Sequence, residues 1–176
     1  MNPIGIRSCY DEGKGCAGTL FFDYYRGHSI DIKIGRIFNT YGPRMAIDDG
    51  RVVSNFILQV LKDIDITIFG DGSQTKSFCF VSDLINGIIK LMKKEKGFTG
   101  PVNLGNPVEI KISELAELIV KTIGSKTKIS FTELPKYNPK RKLPDISVTK
   151  EHLSWKPKTD LYSELIKIMS YVEKNL

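Results

Sequence analysis

The stretch at residues 30–38, with the turn that closes it, constrains the fold more than any other. Ile30, Ile32 and Ile34 alternate with Asp31, Lys33 and Gly35, and Ile37-Phe38 continues the apolar run. That pattern predicts a well-buried strand. The run ends at Asn39-Thr40-Tyr41-Gly42-Pro43-Arg44, a segment of turn formers. Ligands of α/β sheets bind beyond the carboxyl ends of strands, so Asn39, Tyr41 and Arg44 are placed to meet one.

The rest of the chain alternates strand with helix. A helix is expected over 10–26, with Ala17, Leu20, Phe21 and Tyr24 on one face. Gly13, Gly15 and Gly18 lie inside it, each costing about 0.8–1 kcal/mol against alanine. After a polar loop, Val53, Phe56, Ile57, Val60 and Leu61 mark an amphipathic helix. Ile66-Thr67-Ile68-Phe69 reads as a strand, Gly70-Asp71-Gly72-Ser73 as a turn, and 77–81 as a short extended run. Ser82 or Asp83 is expected to cap a helix carrying Ile85, Ile88, Ile89 and Met92. Further on come a strand at Val102-Asn103-Leu104, a helix capped by Ser113, a strand over 128–131, a loop over 135–144, and a last helix from about Asp160. The last helix carries Leu165, Ile168, Met169 and Val172 on one face. The class is therefore α/β.

Composition excludes several functions. With 176 residues, 41% hydrophobic and 26% charged, the chain is sized for one packed, soluble domain. No apolar run approaches the roughly 18 residues of a membrane helix, and no signal layout opens the sequence. Cys9, Cys16 and Cys79 lack metal spacing and read as free thiols, so no metal and a cytoplasmic location are expected. The net charge of +6 comes with no interleaving of aromatic and basic residues, which argues against nucleic acid.

Ser8-Cys9-Tyr10-Asp11-Glu12-Gly13-Lys14 carries the chemistry. Tyr10 and Lys14, four residues apart, share a helix face with Cβ atoms roughly 5–6 Å apart. An ammonium beside a phenol favours the phenolate, and a phenol so poised can serve as a general acid–base. On its own the pair is weak evidence, since such spacing more often marks a packed tyrosine and a solvated lysine.

Taken together, the segments resemble the extended short-chain dehydrogenase/reductases that act on nucleotide sugars, and within them the UDP-glucuronate decarboxylases. The likeness rests on the Tyr10 segment, Arg36-Ile37-Phe38-Asn39-Thr40-Tyr41-Gly42-Pro43-Arg44-Met45, Asp49-Gly50-Arg51-Val52-Val53-Ser54-Asn55-Phe56, Gly70-Asp71-Gly72-Ser73-Gln74-Thr75, Val81-Ser82-Asp83, Pro101-Val102-Asn103-Leu104-Gly105-Asn106-Pro107 and Pro144-Asp145-Ile146. The Tyr-Gly-Pro-Arg and Gly-Asp-Gly segments are shared with sibling 4-epimerases and 4,6-dehydratases; the segments at Tyr10 and Asp49 are more particular to the decarboxylases.

The resemblance implies the carboxy-terminal part of a Rossmann-like fold with its small substrate-binding subdomain. The catalytic helix and the strand after it would lie in residues 1–45, and mainly the subdomain in 46–176. The amino-terminal βαβ unit, with the Gly-x-x-Gly-x-x-Gly turn that cradles NAD pyrophosphate, has no counterpart here. It further implies Tyr10 as catalytic base and Lys14 as holder of the nicotinamide ribose, with Arg44 on the cofactor side. Asn39, Arg51, Val52, Val53, Asn55, Lys76, Arg141 and Lys142 would meet the UDP-sugar. The implied reaction converts UDP-glucuronate to UDP-xylose and CO2 with NAD as cofactor, in a homodimer.

Some positions depart from the family pattern. Gly15 stands for arginine, Gly18 for glutamate, Lys76 for arginine and Cys79 for glutamine, and Leu143 interrupts the basic run before Pro144. An inactive remnant that binds nucleotide sugar, or associates with a full-length relative, is the alternative these changes support. With an open sheet edge, self-association of the chain alone is expected.

Overall fold

Parallel pairing dominates the architecture, and it sets where the ligand-binding ends of the strands fall. The computed structural model describes residues 4–5, 8–46, 50–134 and 141–175, with the backbone alone for 141–142. In chain order the elements are α1 (Ser8–His28), β1 (Gly35–Ile37), β2 (Thr40–Tyr41), α2 (Val52–Leu61), β3 (Ile66–Phe69), β4 (Thr75–Ser77), β5 (Cys79–Phe80) and α3 (Val81–Met92). Then follow β6 (Val102–Leu104), β7 (Glu109–Lys111), α4 (Ile112–Ile123), β8 (Ile129–Thr132), β9 (Arg141–Lys142), α5 (Ser147–Leu153) and α6 (Leu161–Glu173).

β1 pairs with β6, β2 with β5, β3 with β8 and β4 with β9, all parallel; among the described residues only β7 runs antiparallel, against β4. Parallel neighbours require crossover connections, commonly helical, and the intervening helices supply them. The α/β class read from the sequence is the class observed.

Two apolar clusters hold the elements. In one, Ile57 and Val60 of α2, Ile66 and Ile68 of β3, Leu115 and Ile119 of α4, and Leu165 and Ile168 of α6 are buried together. Tyr41 closes this cluster, edge-on to Phe80 at 5.4 Å and to Phe78 at 6.4 Å between ring centroids. In the other, Leu84 and Leu91 of α3 pack with Val102 and Leu104 of β6 and with Leu153 and Trp155. The Trp155 indole N–H donates to the Asp83 carbonyl at 3.0 Å.

Several sequence expectations need correction. The expected buried strand shortens to Gly35–Ile37, whose three residues are all exposed. The reason is that β1 has one strand neighbour, β6, among the described residues. α3 buries Leu84, Gly87 and Leu91, leaving Ile85, Ile89 and Met92 exposed. Gly87 decides that face: a Cβ there would stand 2.8 Å from Leu104 Cδ2 and 3.0 Å from Trp155 Cε2, so the bare glycine lets the helix lie close. Nor does Asp83 cap α3. Its carboxylate accepts the backbone N–H groups of Lys158 and Thr159 at 2.9 and 2.8 Å, tying α3 to the chain ahead of α6. Ser113 lies one residue inside α4, which opens at Ile112. Tyr41 faces the core, 2% exposed, and not a ligand. α6 begins as expected, with the Asp160 carboxylate accepting the Ser163 N–H at 3.1 Å.

Candidate functional site

α1 presents its chemical pair to solvent. Lys14 Nζ lies 5.7 Å from the centroid of the Tyr10 ring, as the four-residue spacing requires. Tyr10 is 61% exposed, and within α1 only Ser8 is buried. Leu20, Phe21 and Tyr24 are all more than half exposed, so no described element covers the helix's apolar face. A Cβ at Gly13, Gly15 or Gly18 would meet nothing within 4 Å; no packing explains these glycines. Gly15 and Gly18 instead line a cleft of about 710 Å³ that separates α1 from β1.

Beyond the carboxyl end of β1 opens a cavity of about 960 Å³. Tyr10, Lys14, Asn39, Arg51, Val52, Val53 and Lys76, seven of the residues singled out from the sequence, border it. Asn39 is tied down: one amide N–H donates to the Ser77 carbonyl at 3.2 Å, and the Cys79 N–H donates to the Asn39 carbonyl at 2.9 Å. Arg51 is the N-cap position of α2 and supplies no side-chain cap. The first N–H groups of a helix carry partial positive charge; here they open beside Arg51 and Lys76, which suits a multiply charged anion.

A second cavity, about 560 Å³, adjoins the first, and Gly50, Val52 and Lys76 border both. Asn55 belongs to this second space, with Gln59, Thr67, Phe69 and Gln74. The sequence reading passed over the glutamines. Gln74 stood in a quoted motif, but nothing in the local pattern distinguishes Gln59 from a solvated helix residue.

The remaining sequence candidates fall elsewhere. Arg44 is exposed and holds a left-handed backbone at φ 67°, apart from the cavity lining, while its neighbour Met45 borders it. The β9 backbone sets Arg141 in register with Thr75 and Lys142 with Lys76. Leu143, after the basic run, reaches the first cavity. Cys79 is fully buried, and burial, reinforced by Asp83, pushes its thiol up to about 12. Burial likewise raises the Tyr41 phenol, with Glu164 and Asp160 adding to the effect. Among the described residues no group of three His, Cys, Asp or Glu side chains could hold a metal, and no helix is long and apolar enough to cross a membrane.

Parallel strands flanked by helices, cavities at the strand ends and a tyrosine–lysine helix beside them define the class: a Rossmann-like α/β protein. The chain belongs to the NAD dependent epimerase/dehydratase family, whose profile matches residues 1–105. UDP-glucuronic acid decarboxylase 3 of Arabidopsis thaliana is 55% identical over 161 residues, covering 92% of this chain and 46% of the relative. UDP-glucuronic acid decarboxylase 1 of Xenopus tropicalis is 46% identical over 176 residues, covering 100% of this chain and 41% of the relative. The chain thus spans less than half the length of these curated relatives. Among solved structures, a UDP-glucuronic acid 4-epimerase from Bacillus cereus in complex with UDP-glucuronic acid and NAD matches with a TM-score of 0.83. That match has 29% identity and covers 90% of this chain and 50% of the epimerase. NAD is the cofactor at the level of the family.

Proposed function

We propose that this chain carries the tyrosine–lysine pair and the nucleotide-sugar surface of a UDP-glucuronate decarboxylase. The observation that carries the reading is the continuity of the two cavities through Gly50, Val52 and Lys76. It supports one extended ligand, with the sugar at Tyr10, the diphosphate at Lys76 and the amino terminus of α2, and the base in the second cavity. Guanidinium, ammonium and helix N–H groups all favour phosphate oxygens.

NAD, when bound, supplies the acceptor and donor for a hydride at sugar carbon C4. The Tyr10–Lys14 geometry fits the nicotinamide end of such a cofactor, while the sequence holds no Gly-x-x-Gly-x-x-Gly turn for its pyrophosphate. Lys14 would hold the ribose. Tyr10 accepts the C4 hydroxyl proton during oxidation. The resulting C4 ketone lies β to the C6 carboxylate, so the C5–C6 bond breaks, CO2 leaves, and the electron pair moves into the ketone oxygen. The Tyr10 hydroxyl hydrogen-bonds that oxygen; a proton taken up from solvent at C5 restores the ketone, and Tyr10 returns its own proton to the C4 oxygen when the ketone is reduced, giving UDP-xylose.

The test is an assay with UDP-glucuronate and NAD, on this chain alone and mixed with the separately made amino-terminal half of the Arabidopsis relative. UDP-xylose formation in the mixture, abolished by Tyr10→Phe, is the expected result. No product, or product indifferent to Tyr10→Phe, overturns the assignment. The second reading is nucleotide-sugar binding without turnover. It draws on the glycines at 15 and 18 and on the exposure of Tyr10. It predicts calorimetric binding of UDP and no product in either assay.

A further inference from the structure

Asn39 and Asn106 occupy matching places. β1 and β6 run parallel with Ile37 in register with Leu104, and each asparagine stands two residues beyond the carboxyl end of its strand. The Phe38 N–H donates to the Leu104 carbonyl at 3.0 Å, so the two chains stay together past the last paired residues. Gly105 permits that approach: a Cβ there would stand 2.7 Å from Phe38 Cβ and 2.9 Å from Pro144 Cγ. From these matching places the two carboxamides reach one segment. Asn39 Nδ2 donates to the Ser77 carbonyl at 3.2 Å, and Asn106 Nδ2 donates to the Phe78 carbonyl at 3.1 Å.

That segment passes from one sheet to another. Lys76 pairs with Ile110 between β4 and β7, and Phe80 pairs with Tyr41 between β5 and β2. Phe78 lies between β4 and β5 and belongs to neither. It is buried, and a buried backbone carbonyl needs a donor; where the ladder stops, a side chain supplies it. The Asn106 amide is oriented from both ends, because its Oδ1 accepts the Val108 N–H at 3.0 Å while its Nδ2 donates to Phe78. One residue further on, the Cys79 N–H donates to the Asn39 carbonyl at 2.9 Å. The segment held in this way carries Lys76 and Phe78 to the wall of the first cavity, and Lys76 to the second. Asn39 borders the first cavity itself, whereas Asn106 is not among the residues lining either.

We propose that Asn106 is a positioning residue for nucleotide-sugar binding: by holding the Phe78 carbonyl it sets the place from which Lys76 reaches the ligand, without touching the ligand itself. This rests on the reading of the two cavities as a nucleotide-sugar site. A lysine ammonium is a point charge on a flexible stem, so the anchoring of its backbone decides what it meets. Lys76 is two residues from the Phe78 carbonyl, and the Asn106 amide fixes that end of the segment.

Calorimetric titration of the full chain with UDP tests it, in a double-mutant cycle with Lys76→Ala. Asn106→Ser keeps a hydroxyl acceptor for the Val108 N–H and is too short to reach the Phe78 carbonyl; Asn106→Ala loses both bonds. Both variants are neutral, so neither sets a charge against a diphosphate. Each should weaken UDP binding about three- to tenfold, the worth of one neutral hydrogen bond. On the Lys76→Ala background the same substitutions should change UDP affinity little, because residues acting through one another do not add. A merely structural role at the β6–β7 turn gives another pattern: alanine lowers the thermal midpoint, serine spares it, and neither alters the UDP affinity of the folded protein. Should alanine prevent folding, serine carries the test. UDP affinity unchanged in Asn106→Ser, or a loss that persists undiminished on the Lys76→Ala background, overturns the proposal. Failure of the unmodified chain to bind UDP overturns the nucleotide-sugar reading and this proposal with it. UDP binding weakened by Lys76→Ala yet indifferent to both Asn106 variants overturns this proposal alone.

Discussion

Lys76 stands where the two cavities meet, so it is the residue whose loss should be felt by a ligand occupying either. A charge-assisted hydrogen bond contributes about 1.5–3 kcal/mol, so Lys76→Ala should weaken UDP binding about tenfold or more. Titration calorimetry of the two proteins measures it. A different residue-scale consequence follows from burial. Cys79 is pushed up to about 12 from an ordinary 9.0, and Tyr41 is raised from an ordinary 10.0. Each is an acid held neutral by the fold. Their contribution to stability is therefore fully present below the unfolded-state values and is lost as pH rises past them. The thermal midpoint should hold level up to about pH 9 and fall above it, and Cys79→Ala should flatten the first part of that fall. At neutral pH a thiol reagent should modify the exposed Cys9 and Cys16 quickly, and the buried Cys79 only in denaturant.

At the scale of elements, the glycines of α1 and α3 make opposite predictions. A Cβ at Gly13, Gly15 or Gly18 meets nothing within 4 Å, so alanine at each should favour α1 by about 0.8–1 kcal/mol, seen as increased helical signal in circular dichroism. Gly87→Ala should instead destabilise the fold by about 1–3 kcal/mol, because its Cβ would collide with Leu104 and Trp155. Denaturant titration of the two sets checks the contrast. These glycines look alike in the sequence, where each sits inside an amphipathic pattern. What separates them is whether another element comes to meet the helix, and local periodicity holds no record of that. The same blindness explains α3, where alternating apolar residues could have buried either of two faces.

For the molecule as a whole, the surface of α1 and α3 sets the behaviour in solution. Leu20, Phe21 and Tyr24 on α1, Ile37 on β1, and Ile85, Ile89 and Met92 on α3 are exposed apolar side chains near a strand, β1, that has one strand neighbour among the described residues. Such surface favours association. Sedimentation velocity over a range of concentrations should show the chain self-associating, and added amino-terminal half of a relative should suppress it. A monodisperse monomer at every concentration would show instead that these faces are tolerated in water.

The sequence by itself determined the α/β class, the tyrosine–lysine spacing and the amphipathic face of α6, because each depends on residues within a few turns or one strand. It also named Asn39, Arg51, Val52, Val53 and Lys76, since motif residues keep their order along the chain. Tertiary structure decided the rest. It alone turned Tyr41 inward against Phe78 and Phe80 and left Gly35–Ile37 exposed, with one strand neighbour among the described residues. It also sent the Asp83 carboxylate to Lys158 and Thr159, and it carried Gln59 and Gln74 to opposite ends of one strand edge. Burial, edge satisfaction and the approach of one backbone to another are properties of pairs of segments far apart in the chain. A one-dimensional pattern fixes what each segment can be, and packing fixes what it meets.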